Sequence, residues 1–444
     1  MTSWKRWRAA ARLGQADMTE SPTNHRGTGS YDDGVTSAGG GGNQRRGVAA
    51  DELRRHNLGA VLERLHLSGP LSRSDLTSLT GLNRSTIADL LGELAHLGLV
   101  EERPALTASG PGRPSPVVQT RPQGAAVLAV ELAVDSVAVA TTGLGGHTFN
   151  RIRVARPRGR FSPEETAQDV AKLAGPLLDA LPAERELAGV GVAIVGITRR
   201  FDGFVHFAPN LGWRDVPLAA MLAAALDLGV PVLAANEADL GALAEHRRVR
   251  PGIANLIYVS GEVGIGTGAI VDGRPLLGSA GYAGEAGHTL INPEGHACRC
   301  GAIGCWETEA GEAALLRRAG VSAESGHLDE VADRAAAGDP IALGAIAEVG
   351  RWLGLGIGNL INVFNPDLVV LGGLYERLFG YLESSVVEGA RERALDPPGR
   401  MATVARSGLG ADAPLIGAAE LVLSDVIADP AGMDARTVGA WKGN

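Results

Sequence analysis

His288, Cys298, Cys300 and Cys305 fall in one short stretch, and these three cysteines are all that the chain contains. Three thiolates and one imidazole are the donor set of a closed tetrahedral zinc site, because a borderline-soft d10 ion takes sulfur and nitrogen donors and needs four of them to be structural. Gly301 and Gly304 allow the turn that returns Cys305 to the same ion. The alternative, three reduced cysteines buried as small apolar residues, explains neither the clustering nor the histidine, and an odd number leaves no disulfide framework. One structural zinc per chain is therefore expected, held in a loop over 288–305. Glu285 and Glu307 stand at the edges of that loop, where they could read a ligand or support the metal ligands.

GEAGH at 284–288 followed by CRCGAIGCWE at 298–307 resembles the ROK family of bacterial sugar kinases and sugar-responsive repressors. The resemblance implies that the loop orders a sugar pocket, that Glu285, His288 and Glu307 contact sugar hydroxyls, and that His288 gives one ring nitrogen to zinc and the other to the ligand. It extends to APNLGWRDVPL (208–218) and AANEADLGALAEH (234–246), and so implies that Asn236 and Asn210 also contact the sugar. An Asn-Glu pair directly after the apolar VPVLAA strand puts an amide and a carboxylate at the carboxyl end of a sheet strand, where open α/β sheets bind ligands. Asn236 could equally serve as a plain helix cap.

The elements that position these residues change character along the chain. Residues 1–48 are rich in Gly, Ser, Thr and Asp, with GGGG at 39–42, and read as a disordered extension. From Asp51 the apolar residues Leu53, Leu58, Val61, Leu62 and Leu65 recur at helical spacing. Ser72 to Asp75 has the form of a capping box opening a second helix, and Asn83 is a plausible N-cap for a third, with Ile87, Leu90, Leu91, Leu94 and Leu97 facing inward. Two extended segments around a Gly/Pro-rich tip follow. This predicts a winged helix-turn-helix over 49–120, and LSRSDLTSLTGLNRSTIADLLGELAHLGLVEE resembles the DNA-binding module of the ROK repressors, which kinases of the family lack. Asn83, Arg84, Ser85 and Thr86 would meet the major groove, Arg73 the backbone phosphates, and Arg113 a minor groove. Each could instead be solvated surface, and Asn83 a cap alone.

Beyond residue 122 the texture is α/β, with strands expected at 125–134, 136–142, 147–154 and 187–197, a helix at 163–181, and a similar pattern returning after residue 254. The resemblance implies the duplicated actin-like (ribonuclease H-like) sugar-kinase fold over 122–430, two lobes with ligand between them, before a tail at 431–444. In the family's kinases an Asn-Asp pair supplies the general base; here Glu237 holds that position, and a methylene more moves the carboxylate by roughly 1–1.5 Å. The first phosphate turn reads Glu131-Leu132-Ala133-Val134-Asp135-Ser136 without a glycine, whereas GEVGIGTGAI (261–270) and Leu371-Gly372-Gly373 keep theirs.

Charge divides in the same way. Residues 1–120 carry 14 Lys and Arg against 12 Asp and Glu, and the remainder 27 against 38, so nucleic-acid contact belongs to the front of the chain. No run of eighteen apolar residues and no apolar segment behind the basic start is present, which leads to the expectation of a cytoplasmic protein with no membrane partner. The expected function is a sugar-responsive DNA-binding transcription regulator, a repressor of xylose or N-acetylglucosamine repressor type. Its partners would be a double-stranded DNA operator and a sugar or sugar phosphate effector, and it would act as a homodimer or homotetramer. The competing readings are an ATP-dependent, glucokinase-like sugar kinase carrying a DNA-binding head, and an architectural DNA-binding protein with a vestigial pocket.

Overall fold

The computed structural model describes residues 41–104, 116–158, 161–182, 187–322 and 328–432, with side chains from Asp51 onward. Helix α1 (Gly41–Ser68) is followed by strand β1 (Leu71–Ser72), α2 (Arg73–Thr80), α3 (Arg84–His96), β2 (Val100–Arg103) and β3 (Val117–Thr120). The start of α1 falls inside the stretch for which disorder was expected. The capping box at the start of α2 is formed, with Ser72 Oγ accepting from Asp75 N and Asp75 accepting from Ser72 N at 3.0 Å. Gly81 then takes the left-handed conformation (φ 70°) that ends α2 and sets the turn into α3. Ile87, Leu90, Leu91 and Leu94 are buried, and the three strands form an antiparallel sheet of order β1-β3-β2. This is a winged helix-turn-helix, and the tip of its wing, with Arg113, lies outside the described residues. Leu53 departs from expectation: it is 61% exposed, because the packing partners of α1 reach only Leu58 and the residues after it.

The rest of the chain forms two sheets of the same design. In the first, β4 (Ala126–Leu132), β5 (Ser136–Thr142) and β6 (Thr148–Ala155) make an antiparallel meander. On the other side of β4 run β7 (Leu187–Ile194) and β11 (Val232–Asn236), both parallel, giving the order β11-β7-β4-β5-β6. In the second, β12 (Leu256–Gly261), β13 (Ile265–Val271) and β14 (Arg274–Pro275) repeat the meander, with β15 (Leu368–Gly373) and β16 (Thr403–Arg406) parallel on the far side. The order is β14-β13-β12-β15-β16, so strand for strand the halves are duplicates. A small sheet of β8 (Ile197–Arg199), β9 (Phe204–Ala208) and β10 (Trp213–Val216) is inserted in the first half. Sequence periodicity did not show it.

The α-helices of five or more residues described in this part are α4 (Pro163–Asp179), α5 (Leu218–Leu226), α6 (Glu237–Ala244), α7 (Trp306–Ala310), α8 (Glu312–Arg318), α9 (Leu328–Ala336), α10 (Pro340–Phe364), α11 (Phe379–Arg393) and α12 (Ala413–Ala428). Among the described residues α10 alone is long and apolar enough to cross a membrane. Its Ile346, Val349, Leu353, Ile357 and Ile361 are buried in the core of the second half, so its apolar face is already occupied.

The winged helix and the first half share one hydrophobic core. Leu58, Val61, Leu62 and Leu65 of α1 belong to the same buried cluster as Leu415, Leu421, Val426 and Ile427 of α12. Each full burial of such a side chain stabilises by about 1.5–3 kcal/mol. At Gly59 a Cβ would stand 2.6 Å from Ile427 O, so the closest approach of α1 and α12 requires glycine there. A buried ionic cluster lies beside this contact. Glu420 of α12 accepts from Arg248 Nε (2.6 Å), Arg247 Nε (2.9 Å) and His66 Nε2 (3.1 Å). His66 Nδ1 accepts from Gly145 N at 3.0 Å, which fixes the tautomer that donates to Glu420. Arg247 also reaches Glu63 of α1 at 3.2 Å. Burial alone would raise the Glu420 carboxyl, but His66, Arg248 and Arg247 hold it well below the usual range; burial depresses His66.

Candidate functional site

A cavity of about 250 Å³ lies between the two halves. The first half supplies the β7–β8 turn, Asn210 after β9, and Asn236 and Glu237 at the β11–α6 junction. The second supplies the β12–β13 turn from Ser260 to Gly266, together with Glu285, His288, Cys298, Arg299 and Glu307. Every ligand-contact residue expected from the sequence thus lines one cavity.

The four metal-ligating candidates meet at its wall. One donor atom from each of His288, Cys298, Cys300 and Cys305 lies within 4.8 Å of all the others. Cys300 Sγ is 3.6 Å from Cys305 Sγ, and Cys298 Sγ is 3.6 Å from His288 Nδ1. A tetrahedral zinc with Zn–S of about 2.3 Å and Zn–N of about 2.0–2.1 Å separates its donors by roughly 3.4–3.8 Å, so these two pairs match that spacing and the gathered set could hold one such ion. Backbone geometry makes the cluster possible: Cys298 N donates to Ala302 O at 2.8 Å across a tight turn whose Gly301 has φ 95°, and Gly304 has φ 76°. His288 directs Nδ1 at Cys298 Sγ while Nε2 faces Glu285 Oε2 at 3.9 Å.

The carboxylates and amides are arranged around this cluster. Glu307 Oε1 accepts from Cys298 Sγ at 2.9 Å, so Glu307 touches both the thiol cluster and the cavity. Burial is the main cause raising the Cys298 thiol, with the Glu307 hydrogen bond adding to it; coordination by a metal would replace that proton. Asn236 caps α6, its Oδ1 accepting from Ala238 N at 2.7 Å, while its Nδ2 donates to Gly196 O at 3.1 Å. The cap role is real and leaves one amide hydrogen for a ligand. Asn210 Oδ1 accepts from Arg299 Nη1 at 2.6 Å, which ties the first half to the thiol loop. Sequence reasoning missed Arg299, although its place between two cysteine ligands was a usable signal.

Glu237 is a strongly perturbed acid. Its Oε2 is buried without a hydrogen-bond partner, and burial first, then Glu262 and Glu285, push its carboxyl well above the usual range. Asp239, one helical step on, is pushed up to about 7 by burial against the pull of Arg200. Two glycines of 261–270 lie close against pocket carboxylates. A Cβ at Gly264 would stand 2.3 Å from Glu307 Oε2, and one at Gly266 2.9 Å from Glu237 Oε1. Without side chains there, the two carboxylates pack directly against the turn. Gly372 is packed as closely, since a Cβ there would stand 2.0 Å from the Tyr258 hydroxyl.

A second cavity, of about 330 Å³, lies on the other side of Glu262. Its wall includes Glu131, Asp135, Glu312 and Asp329, and its arginines are already engaged. Arg153 pairs with Glu131 at 2.8 Å, Arg158 with Glu312 at 2.6 Å and Asp135 at 3.4 Å, and Arg377 with Asp329. No cation in this wall is left free for a phosphate among the described residues.

The DNA-reading candidates sit on the outer face of the winged helix. Asn83 Oδ1 accepts from Thr86 N at 2.9 Å and from Ser85 Oγ at 2.7 Å, so its side chain caps α3. Arg84 and Ser85 are exposed at the start of α3, and Thr86 is half-buried. Arg73 is exposed at the start of α2, but it pairs with Glu102 of β2, Nε to Oε1 at 3.0 Å. A phosphate would have to displace that carboxylate.

Residues 127–425 match the model of the ROK family. The chain is 31% identical over 343 residues to the xylose repressor of Caldicellulosiruptor bescii, covering 72% of this chain and 83% of the relative. The crystal structure of a ROK family transcriptional regulator, a homologue of the E. coli Mlc protein, superposes with a TM-score of 0.72 at 26% identity, over 88% of this chain and all of that one. A ROK family glucokinase from Streptomyces griseus, solved with glucose and AMPPNP, matches with a TM-score of 0.57 at 25% identity. It is covered over 98% of its length yet accounts for 67% of this chain, whereas the regulator reaches well beyond that share.

Proposed function

The chain belongs to the ROK family, and from that premise we propose that it is a sugar-responsive transcriptional repressor of carbohydrate-metabolism genes. The observation that carries this reading is the winged helix-turn-helix packed by a common core onto the half that holds Asn236 and Glu237. The repressor and regulator relatives support it.

In this reading the effector is a sugar or sugar phosphate in the cleft, bound through Asn210, Asn236, Glu237, Glu285, His288 and Glu307. His288, Cys298, Cys300 and Cys305 hold one structural zinc per chain. A bound zinc pins the loop, and the loop's Arg299 and Glu307 are thereby held at the cavity. DNA is read by α3, with Arg84, Ser85 and Thr86 at base edges and phosphates and Asn83 as the cap that orients them; Arg73 and Arg113 serve the backbone and minor groove. A single head reads few base pairs, so a homodimer or homotetramer on a pseudo-palindromic operator is the working assembly.

Coupling between the two sites follows from one helix. Glu237, with its cap Asn236, begins α6 in the sugar cleft, and the chain continues from α6 directly into the π-helical turn Glu245–Val249. That turn places Arg247 and Arg248 on Glu63, His66 and Glu420 at the foot of the DNA-binding head. A Cβ at Gly417 would stand 2.0 Å from Leu240 O, so α12 lies against α6 and any displacement of one is felt by the other. A sugar that prefers one tilt of α6 therefore shifts the population of head positions.

Kinase activity is disfavoured in this reading by two features. Glu237 stands where the family's kinases carry an aspartate, and its extra methylene displaces the carboxylate from the position of the general base. The second cavity presents acids and paired arginines where a nucleotide phosphate would need free donors. The test is binding of the full-length protein to an operator selected from a random-sequence DNA pool, followed by anisotropy with a panel of monosaccharides and their 6-phosphates. Release of DNA by one of them without ADP formation from ATP is the expected result. Binding without sequence preference, or hexose-dependent ATP turnover at an ordinary enzymatic rate, would overturn the reading.

A further inference from the structure

Glu262 is the residue for which neither the fold nor the expected ligand set accounts. It follows Gly261 in the β12–β13 turn, which is closed by Glu262 N donating to Gly264 O at 3.1 Å. Its side chain lines both cavities of the cleft and so forms part of the partition between them. No described residue hydrogen-bonds or ion-pairs with its carboxyl. Carboxylates lie on both sides, Glu131 and Asp135 toward the second cavity and Glu237, with its own orphaned Oε2, toward the sugar cavity. The nearest cations, Arg158 and Arg153, are held by Glu312 and Glu131.

We propose that Glu262 is a specificity-determining residue of the effector site, hydrogen-bonding a hydroxyl of an uncharged monosaccharide and excluding a phosphate group at the partition between the two cavities. The inference rests on the sugar-responsive reading above and narrows its effector to the unphosphorylated class. A polyol hydroxyl both donates and accepts, so it satisfies a carboxyl in either protonation state. A phosphate group carries about −1.5 to −2 charge at neutral pH and, as a dianion, only accepts. At the partition it would meet Glu131 and Asp135, whose neighbouring arginines are already paired, while Arg299, the arginine of the sugar cavity, is held by Asn210 at the thiol loop. The site already resists one charge of its own: burial, then Glu131 and Asp135, push the Glu262 carboxyl up to about 8. A cavity of about 250 Å³ admits a monosaccharide, so selection falls to chemistry more than to size.

The test uses the full-length, zinc-loaded protein, with D-xylose, D-glucose and glucose 6-phosphate as probes in calorimetry and in operator release. Wild type should bind a free sugar and bind glucose 6-phosphate at least about a hundredfold more weakly, the scale of discrimination that unpaired buried polar groups and uncompensated charge produce. Glu262→Ala should weaken free-sugar binding by about tenfold and narrow the gap to the phosphate, whereas Glu262→Gln, which keeps the hydrogen bond, should bind free sugar within a few-fold of wild type. Glucose 6-phosphate binding as tightly as the free sugars and releasing DNA would overturn this inference and leave the repressor reading standing. Failure of all three probes to bind or release DNA would count against both. An unchanged sugar-to-phosphate ratio in Glu262→Ala, with melting temperature and zinc content intact, would also sink it.

Discussion

Replacing Glu420 with glutamine is the perturbation that bears most on how the head is joined to the body. Glu420 is fully buried, and its two oxygens take the Nε hydrogens of Arg247 and Arg248 and the Nε2 hydrogen of His66 at 2.6–3.1 Å. Glutamine keeps the volume, but it removes the negative charge and turns an amide NH2 toward donors. Two guanidiniums, each at most 13% exposed, are then left without their common counter-ion. Breaking one side of a buried ionic cluster costs about 3–5 kcal/mol, because the remaining charges stay desolvated. Glu420→Gln should therefore lower the denaturant midpoint by that equivalent, and hydrogen exchange should show the loss first in α1 between Leu58 and His66. A triple variant, Glu420→Leu with Arg247→Met and Arg248→Met, should recover much of the stability, since it leaves no buried charge unpaired. It should nevertheless respond less to sugar, because the link from α6 to the head is gone. A cost below about 1 kcal/mol for Glu420→Gln, or exchange unchanged in α1, would refute this account of the junction.

At the start of α3, Asn83→Ala should cost about 1 kcal/mol of stability through the lost cap, whereas Arg84→Ala should leave the melting temperature alone and weaken operator binding in anisotropy. Chelation of the metal should abolish sugar binding in calorimetry and make all three cysteines reactive to a thiol reagent, after metal analysis has found one zinc per chain. The pH dependence of Glu262→Gln has a fixed sign. Burial, then Glu131 and Asp135, push the native carboxyl from its ordinary 4.5 up to about 8, so the native state binds the extra proton between those limits and wild type loses stability as pH rises through them. The variant should match wild type below about pH 4.5 and gain on it by up to about 1.4 kcal/mol per pH unit toward pH 8, read from denaturant midpoints.

Local signals in the sequence were reliable where a residue's reason lies within a few positions of it. The Ser72–Asp75 box, the Asn83 cap and the thiol loop with Gly301 are all of this kind, and each is formed as expected. Periodicity failed at Leu53, which has the right spacing but no partner to cover it. The duplication was implied only by resemblance, because equality of the halves is a property of strand order and not of any repeated motif. The surroundings of the glycines of 261–270 could not be read locally either: Gly264 packs against Glu307 and Gly266 against Ala238 and Glu237, on other elements. The junction of His66, Arg247, Arg248 and Glu420 could not be read at all. Its members are spread from α1 to α12 and look like ordinary surface charges until the fold buries them together.

The central claim is that one cleft and one DNA-binding head share a conformational equilibrium, and linkage gives it a direct measurement. Calorimetric titration of the releasing sugar into the free protein and into the protein–operator complex should give two different affinities, weaker on DNA by the same factor by which the sugar weakens operator binding. Equal sugar affinities in the two states would contradict the account.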